Sequence, residues 1–292
     1  MIRGADVVHL TAVYSPSTIP TLAICKVLKK PVVWSPRGAL QRWEATSHPS
    51  LKRAWELICN SLCDEKRVTV HATSENELRE SVLRIKRASA VVIPNGVETA
   101  VQTKDHFREK GKSLQLLYLG RLDRIKGLEN LLTAMQKLDV SVSLSICGDS
   151  ANGYGGELKA LTERLGIVQR VKFQGHVTGE EKTKCFADSD VFIMPSFSES
   201  FGVSAAEALS HGLPVIVSKR TPWSEVEKEG CGLWVENDPQ SLAEAIGRIR
   251  QMPLREMGRR GREWMSREFS WNVIAEKMFK VYEGLADRRH DG

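Results

Sequence analysis

The chain has 292 residues, 41% of them hydrophobic and 27% charged, with a formal net charge of +6. That composition excludes a disordered or fibrous protein, and the length suits two domains of ordinary size. No uncharged apolar run approaches the roughly 20 residues that a membrane span needs, and the opening Met1-Ile2-Arg3-Gly4-Ala5-Asp6 lacks a signal-peptide core, so a cytoplasmic protein is expected.

The first series of short β-branched runs lies at 6–10, 31–34, 68–71 and 90–93, with helical patterns between them. His9 and His71 each end a strand, either as satisfied structural histidines, the commoner case, or as groups facing a cleft. Tyr14, Ser15 and Ser74 are further cleft-edge candidates without special spacing. Leu51, Trp55, Ile58 and Leu62 form one apolar helix stripe beside Lys52 and Arg53. A core face with a solvated flank is the preferred reading of that stripe, and a face laid on a membrane surface is the alternative. Pro94-Asn95-Gly96 closes the series in a tight turn, and the polar stretch 99–113 has no apolar period. A first domain over 1–98 and a linker over 99–113 follow, with the crevice between domains as the expected site.

A second series occupies 114–118, 142–146, 171–173, 191–193, 214–217 and 233–235, giving a domain over 114–269. Such alternation specifies parallel sheets covered by helices on both faces: an α/β protein of two Rossmann-like, doubly wound domains. Residues 270–292 read as a C-terminal packing helix and tail, with Trp271, Ile274, Met278, Val281 and Tyr282 at helical spacing and Ser270 as its cap. The six cysteines form no CxxC pair and read as reduced, mostly buried thiols. Arg259, Arg260 and Arg262 read as a solvated charge cluster.

Through Glu98 there are fourteen Lys/Arg against nine Asp/Glu, so about +5 of the +6 belongs to the first half. A solvated surface, an anionic membrane surface and an anionic acceptor all accommodate that excess. Nucleic acid fits poorly, since the basic residues are not interleaved with aromatics.

Two segments carry chemistry. In Gly120-Arg121-Leu122-Asp123-Arg124-Ile125-Lys126-Gly127 a strand ends in a glycine turn, where open α/β sheets bind ligands. Arg121 as a fork and Lys126 as a point charge suit one phosphate group, although a basic loop with its charges in water is the plain alternative. The turn is neither a Walker loop nor a GxGxxG turn. The second segment runs from Ser196 to Leu209 and is followed by Gly212-Leu213-Pro214. A helix over 203–209 that begins near Gly202 directs its free N–H groups at the crevice and suits a diphosphate. Glu199 in the loop and Glu207 in the helix address different parts of one ligand, since carboxylates suit hydroxyl groups.

This ordered combination, Gly120-Arg121-Leu122 with Lys126-Gly127, then Glu199 and Glu207 around Phe201-Gly202, then Gly212-x-Pro214-Val215, resembles the group 1 glycosyltransferases (glycosyltransferase family 4) over residues 90 to 285. The resemblance implies the two-Rossmann (GT-B) fold and a retaining, metal-independent transferase that uses a UDP-, GDP- or ADP-sugar, with UDP-sugar the first expectation. No bound cofactor is implied. It gives Arg121 and Lys126 the donor diphosphate, Glu199 the sugar hydroxyls and Glu207 the ribose. Backbone N–H groups near Phe201, Gly202 and Val203 would support phosphate and sugar, and the backbone of Gly175-His176-Val177 would meet the base. Arg121, Lys126 and the helix start would stabilise the leaving diphosphate as a metal otherwise does.

The first half is similar, more loosely, to relatives that build bacterial surface polysaccharides, through Trp34-Ser35-Pro36-Arg37-Gly38, His71-Ala72-Thr73-Ser74-Glu75, Ile93-Pro94-Asn95-Gly96 and the later Thr221-Pro222-Trp223. A glycan or lipid-linked acceptor is therefore expected, with peripheral contact at the inner face of an anionic membrane as an option. Many relatives place a catalytic-site histidine where this chain has Arg37, a cation that cannot act as a base. Relatives also begin with strand–helix units that precede residues 6–10 here, so the first domain is read as truncated at its N-terminus. An exposed sheet edge and self-association are then expected. The rival readings are a non-catalytic nucleotide-sugar-binding or assembly protein and, less favoured, a sugar-nucleotide epimerase.

Overall fold

Each β-branched run forms a parallel strand in the structure, a computed structural model that describes residues 2–42, 48–100, 107–108, 112–150 and 153–287. β1 (Val8–Leu10), α1 (Thr18–Val27), β2 (Val32–Trp34), α2 (Pro49–Leu62), β3 (Val68–Ala72), α3 (Glu75–Arg84) and β4 (Ser89–Val92) build a four-stranded sheet in the order β1-β2-β3-β4. Val8, Val32 and Val68 stand in register across it. Every residue of β2 and β3 is buried, which is why both read as unbroken apolar runs rather than alternating ones. Ser74 starts α3 by accepting the Glu77 N–H at 3.2 Å.

α2 bears out half of the core reading of its apolar stripe and corrects the other half: Trp55 and Leu62 pack against the core. Leu51 and Ile58, expected inside, are exposed together with Leu57, and the helix buries Glu56 and Cys59 instead. The cause is polar. The Glu56 carboxylate accepts from the Tyr14 hydroxyl and from Arg42, and Trp55 Nε1 donates to the Val13 carbonyl at 2.7 Å. A buried carboxylate is tolerated only when its hydrogen bonds are made, so these partners fix the helix's rotation, keep Trp55 and Leu62 on the core and turn Leu51, Leu57 and Ile58 outward.

The second series gives β5 (Leu114–Leu119), α4 (Leu128–Gln136), β6 (Val142–Cys147), α5 (Tyr154–Arg164), β7 (Val171–Gly175), α6 (Gly179–Asp188), β8 (Val191–Met194), α7 (Val203–Ser210), β9 (Val215–Ser218), β10 (Gly232–Val235), α8 (Pro239–Ile249) and α9 (Leu254–Trp264). Its six parallel strands run β10-β9-β8-β5-β6-β7. Successive strand residues enter opposite apolar clusters: Leu116 and Tyr118 pack with α4 and α8 residues such as Leu131 and Ile246, whereas Leu117 packs with Phe186 and Leu209 from α6 and α7. Helices therefore cover both faces. The strand order reverses between β5 and β8, and a doubly wound sheet opens its crevice at such a point.

The described residues end in α10 (Trp271–Asp287), which buries Ile274 and Leu285 and leaves Trp271 exposed. One compact unit holds residues up to Gly96 together with α10, and the other runs from Val97 to Ser270. Most of the expected linker, residues 101–106 and 109–111, lies outside the described residues. All six cysteines are buried free thiols, and burial pushes Cys63, Cys147 and Cys231 up to about 12, so they are inert packing groups. Among the described residues no helix is long and apolar enough to cross a membrane.

Candidate functional site

In the second unit the two chemistry-bearing segments meet at the carboxyl ends of β5 and β8. Beyond β5, Asp123 accepts the Ile125 N–H at 3.0 Å and starts a 3-10 turn over Arg124–Lys126, which Gly127 ends with a φ of 66°. Only glycine fits there, because a Cβ would lie 2.1 Å from the Pro195 carbonyl oxygen. Beyond β8, the Phe197 N–H donates to the Ile125 carbonyl at 2.7 Å, joining the second loop to the first. The loops are thus one structure.

Lys126 Nζ lies 2.6 Å from Glu199 Oε1, which also accepts the Ser196 hydroxyl at 2.8 Å. Arg124 turns away to pair with Glu157 at 2.6 Å. Arg121 is exposed beside the cleft rather than in its lining. Gly202, with a φ of 83°, precedes the first turn of α7 and directs the N–H groups of Val203 and Ser204 at the same space. The Phe201 ring is buried against Trp223, whose Nε1 donates to the Phe201 carbonyl at 2.6 Å, so Phe201 acts through its backbone and by holding the turn.

The resulting cleft of about 270 Å³ is lined by Tyr118, Leu119, Gly120, Lys126, Lys182, Met194, Glu199, Gly202, Val203, Ser204 and Glu207. The sequence reading missed Lys182, which reaches from α6 to place Nζ 2.6 Å from Glu207 Oε1. On the sequence it is one cation among several on a polar helix, and only the fold brings it to a carboxylate 25 residues away. Tyr118 was missed as well. Its hydroxyl donates to the Arg121 carbonyl at 2.8 Å and steadies the basic loop, and burial followed by the Glu199 charge raises it well above the usual phenol range. The cleft therefore offers two lysines, two carboxylates and a helix N-terminus, a set that grips an anionic group and hydroxyls at once.

Gly175 and Val177 do not line this cleft. The Gly175 carbonyl accepts the Gly148 N–H at 2.7 Å at the end of β6, and Val177 lines a separate groove of about 790 Å³ with Gln174 and Cys185.

In the first unit, Arg37 adopts a left-handed φ of 53° and donates to the Asn95 side chain. Beside it the structure joins both candidate histidines in a chain. His71 Nε2 lies 2.8 Å from the Ile93 carbonyl and must donate to it. Its Nδ1 then accepts from the Ser35 hydroxyl at 2.7 Å, Ser35 accepts from His9 Nε2 at 2.7 Å, and His9 Nδ1 accepts from the Tyr282 hydroxyl at 2.6 Å. The Ile93 carbonyl, which can only accept, fixes every proton in the row. Burial lowers both histidines, and Arg37 adds to the lowering, so both are neutral at neutral pH. Tyr14 and Ser74 serve Glu56 and the start of α3, and Ser15 pairs with Ser17 at 3.0 Å.

The family model described as glycosyl transferases group 1 matches residues 102–264. The D-inositol 3-phosphate glycosyltransferase of Corynebacterium jeikeium is 35% identical over 188 residues, 60% of this chain and 44% of the relative. The chain thus spans less than half the length of that curated relative. Among solved structures, sucrose-phosphate synthase from Thermosynechococcus elongatus superposes with a TM-score of 0.77 at 24% identity, covering 97% of this chain and 74% of that one. Anabaena HepE in complex with UDP superposes with a TM-score of 0.79 at 19% identity, covering 95% and 79%. These likenesses bear out the GT-B fold read from the sequence. With more than half its residues matched by the family model and its two loops joined at the β5–β8 crevice, the chain belongs to the group 1 glycosyl transferases.

Proposed function

We propose that this protein transfers a sugar, with retention of configuration, from a nucleotide-diphosphate sugar to a hydroxyl of a glycan or lipid-linked acceptor in surface polysaccharide synthesis. The observation that carries the reading is the pair of lysine–carboxylate contacts, Lys126 with Glu199 and Lys182 with Glu207, set on either side of the α7 N-terminus. Lys126, with Arg121 from the rim, takes the diphosphate, whose charge grows as the glycosidic bond breaks. Glu199 takes sugar hydroxyls and Glu207 the ribose, held in place by Lys182. Attack from the leaving-group face lets a phosphate oxygen accept the hydroxyl proton, so no carboxylate nucleophile is needed. HepE has been solved with UDP and with UDP-glucose, which supports uracil as the first base to test. Gly175 and Val177 are assigned to the base through their backbone, and Arg37 to the acceptor side of the reaction. β1, an edge strand of its sheet, is the pairing point expected for a second copy.

A thermal-shift panel of UDP-, GDP- and ADP-sugars tests the reading, because a ligand selective for the native state raises its melting temperature. UDP-glucose is expected to raise it and glucose alone is not. A panel in which no nucleotide sugar shifts the transition would contradict the assignment.

A further inference from the structure

α2 exposes an apolar stripe besides the one it packs on the core. Its one acidic residue, Glu56, is buried against Arg42, while Leu51, Leu57 and Ile58 stand 69%, 70% and 47% exposed. With the exposed Ala54 between them they make one stripe along the outer face, flanked by Arg53. α1 packs beside α2, tied to it by Lys26 Nζ on the Ser61 carbonyl at 2.8 Å. On α1, Ile24 and Val27 are 45% and 81% exposed, and they line a shallow groove of about 740 Å³ with Ile2, Arg3, Ala23 and Leu28.

Among the described residues, the charges that α1, α2 and the groove lining expose have one sign. Arg3, Lys26, Lys29 and Arg53 are exposed, α1 contains no acidic residue, and the only one in α2 faces inward. The nearest acids in sequence, Asp6, Glu44, Asp64 and Glu65, fall outside the spans of both helices, and Asp64 is paired with Arg67 at 3.2 Å. Water-facing helices keep their apolar stripe on the core, and an apolar stripe turned outward among cations without acids fits the boundary of an anionic bilayer.

We propose that the α1–α2 face docks on an anionic lipid surface, with Val27, Leu57 and Ile58 entering the headgroup boundary and Arg3, Lys26, Lys29 and Arg53 against lipid phosphates. A second copy of the chain fits less well, because a two-fold contact through this face sets like charges against each other. The proposal does not depend on the donor cleft, which belongs to the other unit.

The test is cosedimentation of the full chain with phosphatidylcholine vesicles, alone or with about a third phosphatidylglycerol. Binding is expected to the anionic vesicles only, and to weaken as salt is added. The triple variant Val27→Gln/Leu57→Gln/Ile58→Gln and the double variant Lys29→Gln/Arg53→Gln are each expected to lower binding roughly tenfold or more. All five side chains are exposed, so both variants should keep the wild-type circular dichroism and the wild-type melting shift with UDP. A failed UDP shift in wild type therefore counts against the donor reading and leaves the surface test intact. The proposal is overturned by wild-type protein that ignores anionic vesicles, or by variants that bind them equally. It is also overturned by a lipid-free dimer that the triple variant abolishes, which would give the face to a second copy.

Discussion

Lys126 Nζ and Glu199 Oε1 lie 2.6 Å apart although 73 residues separate them in the chain, because the loops after β5 and β8 converge where the strand order reverses. The pair divides the labour of the cleft. Glu199→Gln should leave UDP affinity near wild type, because the diphosphate cation remains, while abolishing the difference in affinity between UDP-glucose and UDP. Calorimetry with both ligands checks this. An equal loss of affinity for both would place Glu199 on the nucleotide instead.

Glu207 and Lys182 form the second pair, also at 2.6 Å. If Glu207 takes ribose hydroxyls, wild-type protein binds UDP more tightly than its dideoxyribose analogue, and in Glu207→Gln the two affinities converge. Lys182→Ala should weaken UDP less than Glu207→Gln does, since Lys182 acts by holding the carboxylate. Wild-type discrimination retained in Glu207→Gln would remove it from the ribose.

Gly202 sets the start of α7. A Cβ there would lie 2.9 Å from Met194 Cε and 3.0 Å from Trp223 Nε1, at a φ of 83° that side chains rarely adopt. Gly202→Ala should therefore cost about 1–3 kcal/mol of stability and weaken UDP as well, because the Val203 and Ser204 N–H groups move. Thermal unfolding and UDP titration together test the point. A variant as stable and as tight as wild type would mean that the turn is not constrained.

The histidine row predicts a pH dependence. In the unfolded chain His9 and His71 titrate near 6.5, and in the folded protein burial places both below it. The unfolded state therefore takes up protons first as the pH falls. Stability from the row is fully present above about 6.5 and declines below it, levelling off once the folded histidines titrate. Denaturant unfolding between about pH 7.5 and 5.5 should show that decline, and His9→Gln should make it shallower. An unchanged slope in His9→Gln would exclude its part in the row.

Much of this was legible in the sequence. The ten strands of the described residues lie where β-branched runs place them, within one or two residues, because the period of the apolar pattern is a local property. Lys126, Glu199, Gly202 and Glu207 were likewise found by motif and spacing. What escaped depends on the rotation of a helix or on partners far apart in the chain. In the α2 stripe Trp55 and Leu62 pack on the core as read, whereas Leu51 and Ile58 turn outward because Tyr14 and Arg42 capture Glu56. His9 and Tyr282 meet across 273 residues, and nothing local in either segment marks the other.

The central claim is that the cleft at the β5–β8 crossing holds a nucleoside diphosphate, and titration of UDP and uridine into wild-type and Lys126→Ala protein tests it most directly. The loss of one charge-assisted contact should weaken UDP by about 1.5–3 kcal/mol and leave uridine unchanged. UDP binding of wild-type strength in Lys126→Ala would contradict the account.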